Sequence, residues 1–455
     1  MQMNIQYENN KLILPQIQCD CGLQHTYPDL DIYVGQDLLA LIPEYVRRRN
    51  LGRKALIVTD NVVYDPAAVK VIAFLERAGF SVDLCLLERD GILVPNETAL
   101  GEIMLSLKDD TDFLIAVGSG SITDLTRYAA HVSHRPFVVV GTAPSMDGYT
   151  SVVSPLTYGN LKTHKAAGFP KIIVCDLNIM QTAPYIMFLS GFGDVIGKFM
   201  AKADWLLGNL INQEPICPVC LEIVTSAVNR CLENIKEIKQ RTITGTRALI
   251  EGLILTGLTI LSIGKTRAVA SNEHNMAHYW EMMKLLAGET APRHGLGVGV
   301  ATVYCLKFYE LFFAIDPGNL DLQKAKKANL SEEERTRVII EKYGEKIGAA
   351  VAKDTKEDCL SIEEHERRFH ALITNHALIK EKLAFLPTAE QMLQIYQDLG
   401  FPWPASAIGV DEQLLLNSLL YAKEYRTRYT VFKSANELGI LSELVQQTLH
   451  ELANK

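Results

Sequence analysis

Histidines cluster in one stretch of the sequence, where three of the eleven lie between positions 274 and 294. His274 and His278 are four residues apart, so a helix would place both imidazoles on one face. Two imidazoles and a carboxylate give three protein ligands and leave one position open, as in catalytic divalent-metal sites. Glu273 precedes the pair instead of lying inside it, which argues against the HExxH metalloproteases. Spacing alone leaves open which two of His274, His278 and His294 are ligands, and ordinary core or surface histidines remain the alternative.

A second candidate site is the small-residue segment Gly118-Ser119-Gly120-Ser121, which follows the apolar run Phe113–Val117. A helical pattern starts near Ile122, so backbone N–H groups at a helix N-terminus would face a phosphate, and Asp124 could fix the turn as an acceptor. The third glycine of GxGxxG is absent because residue 123 is Thr, and the loop follows a middle strand. A simple tight turn is the alternative.

Two carboxylates follow glycine- or hydroxyl-containing segments. Asp147 comes after Thr142-Ala143-Pro144-Ser145, at a strand end of the kind where open α/β sheets bind ligands. Asp147 is therefore a candidate for holding a substrate hydroxyl, with a plain Asp-Gly turn as the alternative. Asp194 follows Ser190–Gly193, which we expect to be a loop, so that Asp194 would cap the next helix or supply the carboxylate of the metal site.

The elements that must position these residues show two patterns. Short apolar runs alternate with amphipathic stretches up to about residue 180, which predicts an α/β domain with a parallel sheet. The strand-like runs are Ala55–Val58, Val82–Leu87, Phe113–Val117, Phe137–Val140 and Ile172–Val174, and the helical ones Pro66–Ala78, Glu97–Leu107 and Ile122–His131. Gly159-Asn160 predicts a hairpin turn. Beyond residue 184, runs such as Val195–Leu207, Thr246–Ile263 and Leu414–Arg426 predict an almost entirely helical part.

Composition narrows the class of protein. The 455 residues are 48% hydrophobic and 22% charged, with a net charge of −8, which excludes a disordered chain and argues against a nucleic-acid partner. The opening residues have no signal-like apolar region, and the longest uncharged apolar window, Gly252 to Gly264, is shorter than a membrane span. We therefore expect a cytoplasmic protein without membrane insertion.

The nine cysteines are an odd number and are spread from Cys19 to Cys359, which favours a reducing compartment. Cys19-Asp-Cys21 is too closely spaced for a usual zinc or redox motif. Cys217-Pro-Val-Cys220 has that spacing, but no second pair follows it at zinc-finger distance. We interpret both pairs as reduced thiols, the second at a helix start.

Five segments carry a family resemblance: GSGSITDLTRY, TAPSMDGYTS, SGFGDVIGK, NEHNMAH and RHGLGVGV. In order and spacing they resemble the superfamily of iron-containing alcohol dehydrogenases, glycerol dehydrogenases and dehydroquinate synthases, over roughly residues 55 to 300. SMDGYTS and NEHNMAH make the chain most similar to the sn-glycerol-1-phosphate dehydrogenase family, in its bacterial form.

The resemblance implies a Rossmann-like N-terminal domain (residues 1–183) with a parallel sheet, an all-α C-terminal domain (184–455) and an active site in the cleft between them. It implies NAD(P)H-dependent interconversion of dihydroxyacetone phosphate and sn-glycerol 1-phosphate, with one divalent metal, zinc, nickel or iron. By carry-over, the cofactor would be bound by Asp60, Gly118, Ser119, Gly120, Ser121, Ile122, Thr142, Ala143, Pro144, Ser145 and Ser151. Asp194, His274 and His294 would hold the metal, and Asp194 would also contact the substrate.

Two further roles follow from the resemblance. Asp147 and His278 would contact the substrate, and His278, or a water it holds, would deliver the proton. Where relatives often show GGG and a lysine, this chain has Gly118-Ser119-Gly120 and Arg127. We expect a homodimer. The alternative activity is that of a glycerol or polyol dehydrogenase, and a non-catalytic relative that kept the fold is the third possibility.

Overall fold

The computed structural model describes residues 5–14, 19–23, 25–159, 161–453 and 455. The chain forms two compact units. The sheet unit comprises Met1–Gln18, Gln24–Val195 and Glu222–Lys265, and the helical unit comprises Cys19–Leu23, Ile196–Leu221 and Thr266–Lys455. The sheet unit thus extends past residue 183 and includes a second segment of helix.

The described residues between positions 6 and 176 form ten strands. They are β1 (Gln6–Glu8), β2 (Lys11–Ile13), β3 (Asp31–Gly35), β4 (Lys54–Asp60), β5 (Ser81–Leu87), β6 (Phe113–Gly118), β7 (Phe137–Gly141), β8 (Val153–Tyr158), β9 (Leu161–Ala166) and β10 (Ile172–Asp176). Eight form one sheet in the order β1-β2-β3-β10-β7-β6-β4-β5, and β8 pairs with β9 in a separate hairpin. In the sheet order, every neighbouring pair in the row β3-β10-β7-β6-β4-β5 is parallel. The predicted parallel sheet and hairpin are confirmed; Asn160 of the predicted turn lies outside the described residues.

Sequence patterns missed the first three strands. Strands β1 and β2 have three residues each and form an antiparallel hairpin, and β2 pairs antiparallel with β3. Asp60 was predicted to end the first strand of the chain. It ends the fourth, β4. The five predicted strands, by contrast, are apolar runs, and β6, β7 and β10 are buried throughout. Strands covered on both faces have this near-continuous hydrophobic pattern.

Twenty α-helices accompany the strands in the described residues. They are α1 (Ile42–Arg48), α2 (Val69–Arg77), α3 (Glu97–Ser106), α4 (Gly120–Val132), α5 (Leu177–Met180), α6 (Tyr185–Ile196), α7 (Lys198–Asn212), α8 (Pro218–Glu233), α9 (Ile235–Lys239), α10 (Ile243–Ile263), α11 (Asn272–Leu286), α12 (His294–Phe313), α13 (Leu322–Ala328), α14 (Glu332–Tyr343), α15 (Glu345–Asp354), α16 (Ile362–Lys382), α17 (Ala389–Leu399), α18 (Glu412–Tyr421), α19 (Val431–Glu437) and α20 (Leu441–Leu452). Among the described residues after Asp176 there is no strand, which confirms the predicted helical C-terminal part.

Two details of the helix prediction were wrong. Ser190–Gly193 is not a loop, because it lies within α6, so its glycines sit inside a helix. The predicted helix Val195–Leu207 is divided, since α6 ends at Ile196 and α7 begins at Lys198. Glycine disfavours helices only by about 1 kcal/mol, which tertiary packing readily overrides.

A buried carboxylate links three parts of the helical unit. Asp204 of α7 is 1% exposed and accepts hydrogen bonds from the Ser271 hydroxyl (2.5 Å), the Tyr309 hydroxyl (2.5 Å) and the Val431 N–H (2.8 Å). Burial raises the pKa of Asp204 to about 6, although these donors oppose the shift. The core of the helical unit therefore contains a titratable group.

Helices α10 and α12 are long and apolar enough to span a membrane by length and composition. In each, 78% of the most apolar window is buried inside the protein. Burial of this extent is typical of core helices, which pass the same test, so the two helices are weak grounds for a membrane role.

Candidate functional site

The Gly118-Ser119-Gly120-Ser121 segment connects β6 to α4. Gly118 is the last residue of β6, and a Cβ there would lie 2.6 Å from the Ile122 Cβ, so only glycine fits without displacement of α4. The Gly118 carbonyl accepts the Thr142 N–H (3.1 Å), which joins this loop to the end of β7. Since α4 begins at Gly120, its first N–H groups have no intrahelical acceptor and are suited to an anion.

Asp124 and Arg127 form a buried ion pair within α4. Asp124, which the sequence suggested as an acceptor for the glycine turn, is thus paired with Arg127. Arg127 is 0% exposed, and its guanidinium donates to the carbonyls of Gly148 (2.6 Å), Tyr149 (3.3 Å) and Val153 (3.3 Å). Burial lowers the pKa of Arg127, and Asp124 opposes this shift. Arg127 thus supports the backbone of residues 148–153, a role that sequence analysis missed.

Residues 142–151 follow β7 as a hydrogen-bonded loop. The Tyr149 hydroxyl donates to the Ala143 carbonyl (2.7 Å), and the Ser190 hydroxyl donates to the Ser145 carbonyl (3.1 Å). At Gly257 of α10, an added Cβ would lie 2.6 Å from the Asp147 carbonyl oxygen, so this glycine allows α10 to approach the loop closely. Ser151, a predicted cofactor contact, donates its hydroxyl to the Val153 carbonyl (2.9 Å).

Two of the predicted carboxylates shape turns in the sheet unit. Asp194 is fully buried near the C-terminal end of α6, which corrects its predicted position as an N-cap. Its Oδ2 accepts the Asp147 N–H (3.0 Å), so Asp194 fixes the turn that carries Asp147. Asp60 accepts the N–H groups of Val62 (2.9 Å) and Val63 (3.0 Å) and so orders the turn after β4.

The three predicted histidines come together in the helical unit. His274 and His278 lie on α11, and His294 begins α12. The ring centroid of His294 is 5.4 Å from that of His274 and 5.0 Å from that of His278. The structure therefore confirms that residues far apart in this stretch share one cluster, which we call the histidine cluster (His274, His278 and His294).

Each imidazole of the histidine cluster faces a buried glutamate. His274 Nδ1 lies 2.6 Å from Glu273 Oε1, and His294 Nδ1 lies 2.8 Å from Glu281 Oε1. Glu281 also receives His278, with its Oε2 3.2 Å from His278 Nδ1. Because an ionised carboxylate only accepts, these contacts place a proton on each Nδ1 and leave each Nε2 for a ligand or for a second proton. This second layer of carboxylates is characteristic of metal-binding histidines.

Two residues next to the histidine cluster have buried polar atoms without hydrogen-bond partners among the described residues. They are Glu273 Oε2 and both side-chain polar atoms of Asn272. An unsatisfied buried group costs about 1–3 kcal/mol, and such groups in a native structure commonly mark a functional site. The donor set and its surroundings fit a divalent cation. Within the helical unit, His278, Glu281 and His294 form a further group with ligand atoms within 4.8 Å of one another.

Sequence reasoning missed Glu281 although the signal was present. Glu281 follows His278 by three residues, a helical neighbour, but its contact with His294 depends on how α11 packs on α12. Four cationic side chains of this chain could bind a phosphate group. Lys162, His164 and Lys165 lie on β9, and Arg293 is the N-cap of α12, where burial lowers its pKa.

Comparison with known proteins shows which family the chain resembles. Residues 33–184 match the family model described as iron-containing alcohol dehydrogenase. The chain is 35% identical over 296 residues to the glycerol-1-phosphate dehydrogenase [NAD(P)+] of Halalkalibacterium halodurans, covering 64% of this chain and 74% of that protein. It is 29% identical over 427 residues to the enzyme of the same name from Geobacillus stearothermophilus, covering 92% of this chain and 96% of the relative.

Solved structures agree at the level of the fold. A probable glycerol dehydrogenase from Sinorhizobium meliloti superposes with a TM-score of 0.60 at 14% identity, covering 94% of this chain and 99% of the other. An iron-containing alcohol dehydrogenase gives a TM-score of 0.56 at 15% identity, covering 93% and 99%. With these folds, and with 35% identity over most of a relative's length, the chain belongs to the glycerol-1-phosphate dehydrogenase [NAD(P)+] family of the iron-containing alcohol dehydrogenases.

Proposed function

We propose that the protein catalyses the reversible NAD(P)H-dependent reduction of dihydroxyacetone phosphate to sn-glycerol 1-phosphate. The observation that carries this proposal is the 35% identity to a glycerol-1-phosphate dehydrogenase [NAD(P)+] over 74% of that enzyme. The site chemistry supports it, because one unit offers a backbone anion site and the other a cluster of imidazoles with buried carboxylates. The product's stereochemistry rests on the family alone.

The cofactor site that we propose combines the glycine loop with the loop after β7. Gly118, Ser119, Gly120, Ser121 and Ile122 would bind the pyrophosphate through the first N–H groups of α4. The nicotinamide side would be formed by Thr142, Ala143, Pro144, Ser145 and Ser151. Asp60 would reach the adenosine ribose from the turn after β4, which its hydrogen bonds to Val62 and Val63 hold in place.

The metal ligands that we propose are Asp194, His274 and His294. A carboxylate and two imidazoles suit zinc, nickel and iron(II) alike, so the donor set selects a class of ions and not one ion. Glu273 and Glu281 would orient His274 and His294 through their Nδ1 atoms. This arrangement would restrain the rings before an ion binds and would leave Nε2 of each ring as the atom available to the ion.

Substrate handling falls to Asp147 and His278 in this proposal. Asp147 would accept a hydrogen bond from a substrate hydroxyl, with its backbone held by Asp194. His278 would hold the proton that the reduced oxygen receives, and Glu281 would keep its ring in orientation. When bound, the nicotinamide supplies the hydride and the divalent ion polarises the ketone oxygen. The positive charge that binds the substrate phosphate would come from Lys162, His164, Lys165 or Arg293.

The test is oxidation of NADH and of NADPH, followed by absorbance, with dihydroxyacetone phosphate and with dihydroxyacetone. The protein is stripped of metal and reloaded separately with Zn²⁺, Ni²⁺ or Fe²⁺. We expect metal-dependent turnover of the phosphorylated ketone and little of the other, with chiral analysis identifying sn-glycerol 1-phosphate. Preference for dihydroxyacetone would indicate a polyol dehydrogenase instead, and no turnover of either would contradict the proposed activity.

The assembly and location of the protein complete the proposal. We propose a cytoplasmic homodimer, in line with the reduced cysteines and with the apolar faces that a helical domain offers for association. Sedimentation of the purified protein with and without NADH tests the dimer. A monomer at the concentration used for the activity assay would contradict it.

A further inference from the structure

Two neighbouring cysteines near the N-terminus meet a third, distant cysteine in the helical unit. The Cys19 Sγ lies 3.1 Å from the Cys21 Sγ and 3.6 Å from the Cys217 Sγ, although Cys19 and Cys217 are 198 positions apart. Sequence analysis treated the two cysteine pairs as unrelated, and the fold instead brings members of both together. We call these residues the thiol cluster (Cys19, Cys21 and Cys217).

The sulfur separations distinguish the thiol cluster from a disulfide. No disulfide joins any of the nine cysteines in the structure, all of them described residues, and a disulfide would require sulfurs about 2.05 Å apart. With Zn–S bonds of about 2.3 Å, tetrahedral geometry separates two sulfur ligands by about 3.8 Å. The 3.6 Å separation is close to this value, and the 3.1 Å separation needs only a small side-chain adjustment.

The surroundings of Cys217 also resemble those of a metal ligand. Cys217 is 0% exposed and precedes α8, and its Sγ accepts the N–H of Cys220 (3.3 Å). An amide that donates to a sulfur stabilises its thiolate form, as in the outer shell of structural metal sites. His25 follows Cys21 by four residues, so the chain itself can supply an imidazole as a fourth ligand. Three thiolates and one imidazole form a common structural zinc set.

We propose that Cys19, Cys21, Cys217 and His25 bind a structural zinc ion, separate from the metal of the reaction. Zn²⁺ displaces three thiol protons to the solvent on binding and undergoes no redox change. All four positions of the ion are then filled by protein, so the site binds no substrate. Its effect is to attach Cys19 and Cys21 to the residue before α8, and it does not depend on the proposed dehydrogenase activity.

The first test counts metal ions in the full-length protein. After expression with zinc and nickel and dialysis without chelator, we expect about one zinc per chain in addition to the ion of the Asp/His set. C19S and C217S should each lose the zinc and keep the other ion, whereas H294A should keep the zinc. C359S is the matched control, because Cys359 is also half-buried but lies outside the thiol cluster.

Cobalt gives a second readout that does not require activity. Wild type reconstituted with Co²⁺ should show thiolate-to-cobalt charge-transfer absorption in the near ultraviolet, which C19S and C217S lose and H294A retains. Circular dichroism checks that the variants are folded; if C217S does not fold, C19S, at a half-buried position, carries the test. H25A should release zinc to a chelator faster than wild type does.

Two results would overturn the zinc site. One is zinc content and cobalt absorption that are unchanged in both C19S and C217S. The other is a disulfide that includes Cys19 in the isolated protein. The unreduced, denatured chain would then show seven titratable thiols instead of nine. The C19S variant would show eight, because the former partner of Cys19 becomes a thiol. A failed turnover assay with zinc still bound would reject the proposed activity and leave this site intact.

Discussion

The two candidate sites differ in the chemical groups that they offer to a ligand. In the sheet unit, the glycine loop and the loop after β7 offer mostly main-chain groups, fixed by hydrogen bonds such as Thr142 N–H to the Gly118 carbonyl. In the helical unit, the histidine cluster offers side chains, each oriented by a buried carboxylate. A backbone site depends on whether the chain can adopt the conformation, whereas a side-chain site depends on the identity and protonation of single residues. Substitutions should therefore affect the two sites by different mechanisms.

The largest effect is expected at the histidine cluster. H294A removes a proposed ligand, and loss of the metal's several kcal/mol of transition-state stabilisation should lower kcat/KM by about 10³-fold or more. Metal content should fall with activity while the fold is kept. H370A, at an exposed histidine of α16, should match wild type in both measurements. An active H294A with its full complement of metal would refute the ligand assignment.

Buried charge in the helical unit should give a pH dependence of stability. The pKa of Asp204 is about 6 in the folded protein against 3.8 for an ordinary aspartate, so the folded state keeps a proton that the unfolded state has lost. Stability from this group is full below about pH 4 and decreases as pH rises through 6, by up to about 3 kcal/mol at 1.36 kcal/mol per pH unit. D204N should lack this slope when unfolding is measured by calorimetry across the range.

The exposed Asp109 provides the control for this comparison. D109N should keep the pH slope of wild type, since its side chain is in solvent. Equal slopes for D204N and wild type would show that Asp204 does not titrate in this window.

Removing the carboxylate behind two histidines should weaken metal binding without abolishing it. E281Q keeps the size of the side chain but loses the charge that both His278 and His294 face. Outer-shell substitutions of this kind typically cost about 10–100-fold in metal affinity, which competition with a chelator measures. E289Q, at an exposed residue paired with Lys284, should not change the affinity. Equal affinities for E281Q and E289Q would mean that Glu281 does not orient the ligands.

The smallest effect is expected in the backbone site. In G118A the added Cβ would lie 2.6 Å from the Ile122 Cβ, so the start of α4 must shift. We expect about tenfold weaker NADH binding, or about 1.4 kcal/mol, measured by fluorescence titration. G101A in α3 is the matched control, because its Cβ meets nothing within 4 Å. Binding at wild-type strength by G118A would show that the loop adjusts or lies away from the cofactor.

The features that could be predicted from the sequence are the locally determined ones. The glycine loop, the parallel strands and the helical spacing of His274 and His278 were predictable, because each depends on neighbouring residues or on one periodicity. Asp194 was placed in the wrong local structure because glycines suggested a loop, while packing kept α6 helical. Glu281 and the thiol cluster were missed because their contacts join residues that only tertiary structure brings together.

The N-terminal hairpin has a consequence for the solubility of the protein. Strand β2 pairs with β3 and covers what would otherwise be the open edge of the parallel sheet, and Lys11 forms an ion pair with Asp31 there (2.6 Å). An uncovered strand edge is a template for pairing between molecules. A chain shortened to begin after Ile13 would expose β3, whose five residues are all buried in the intact protein, and should self-associate through that edge.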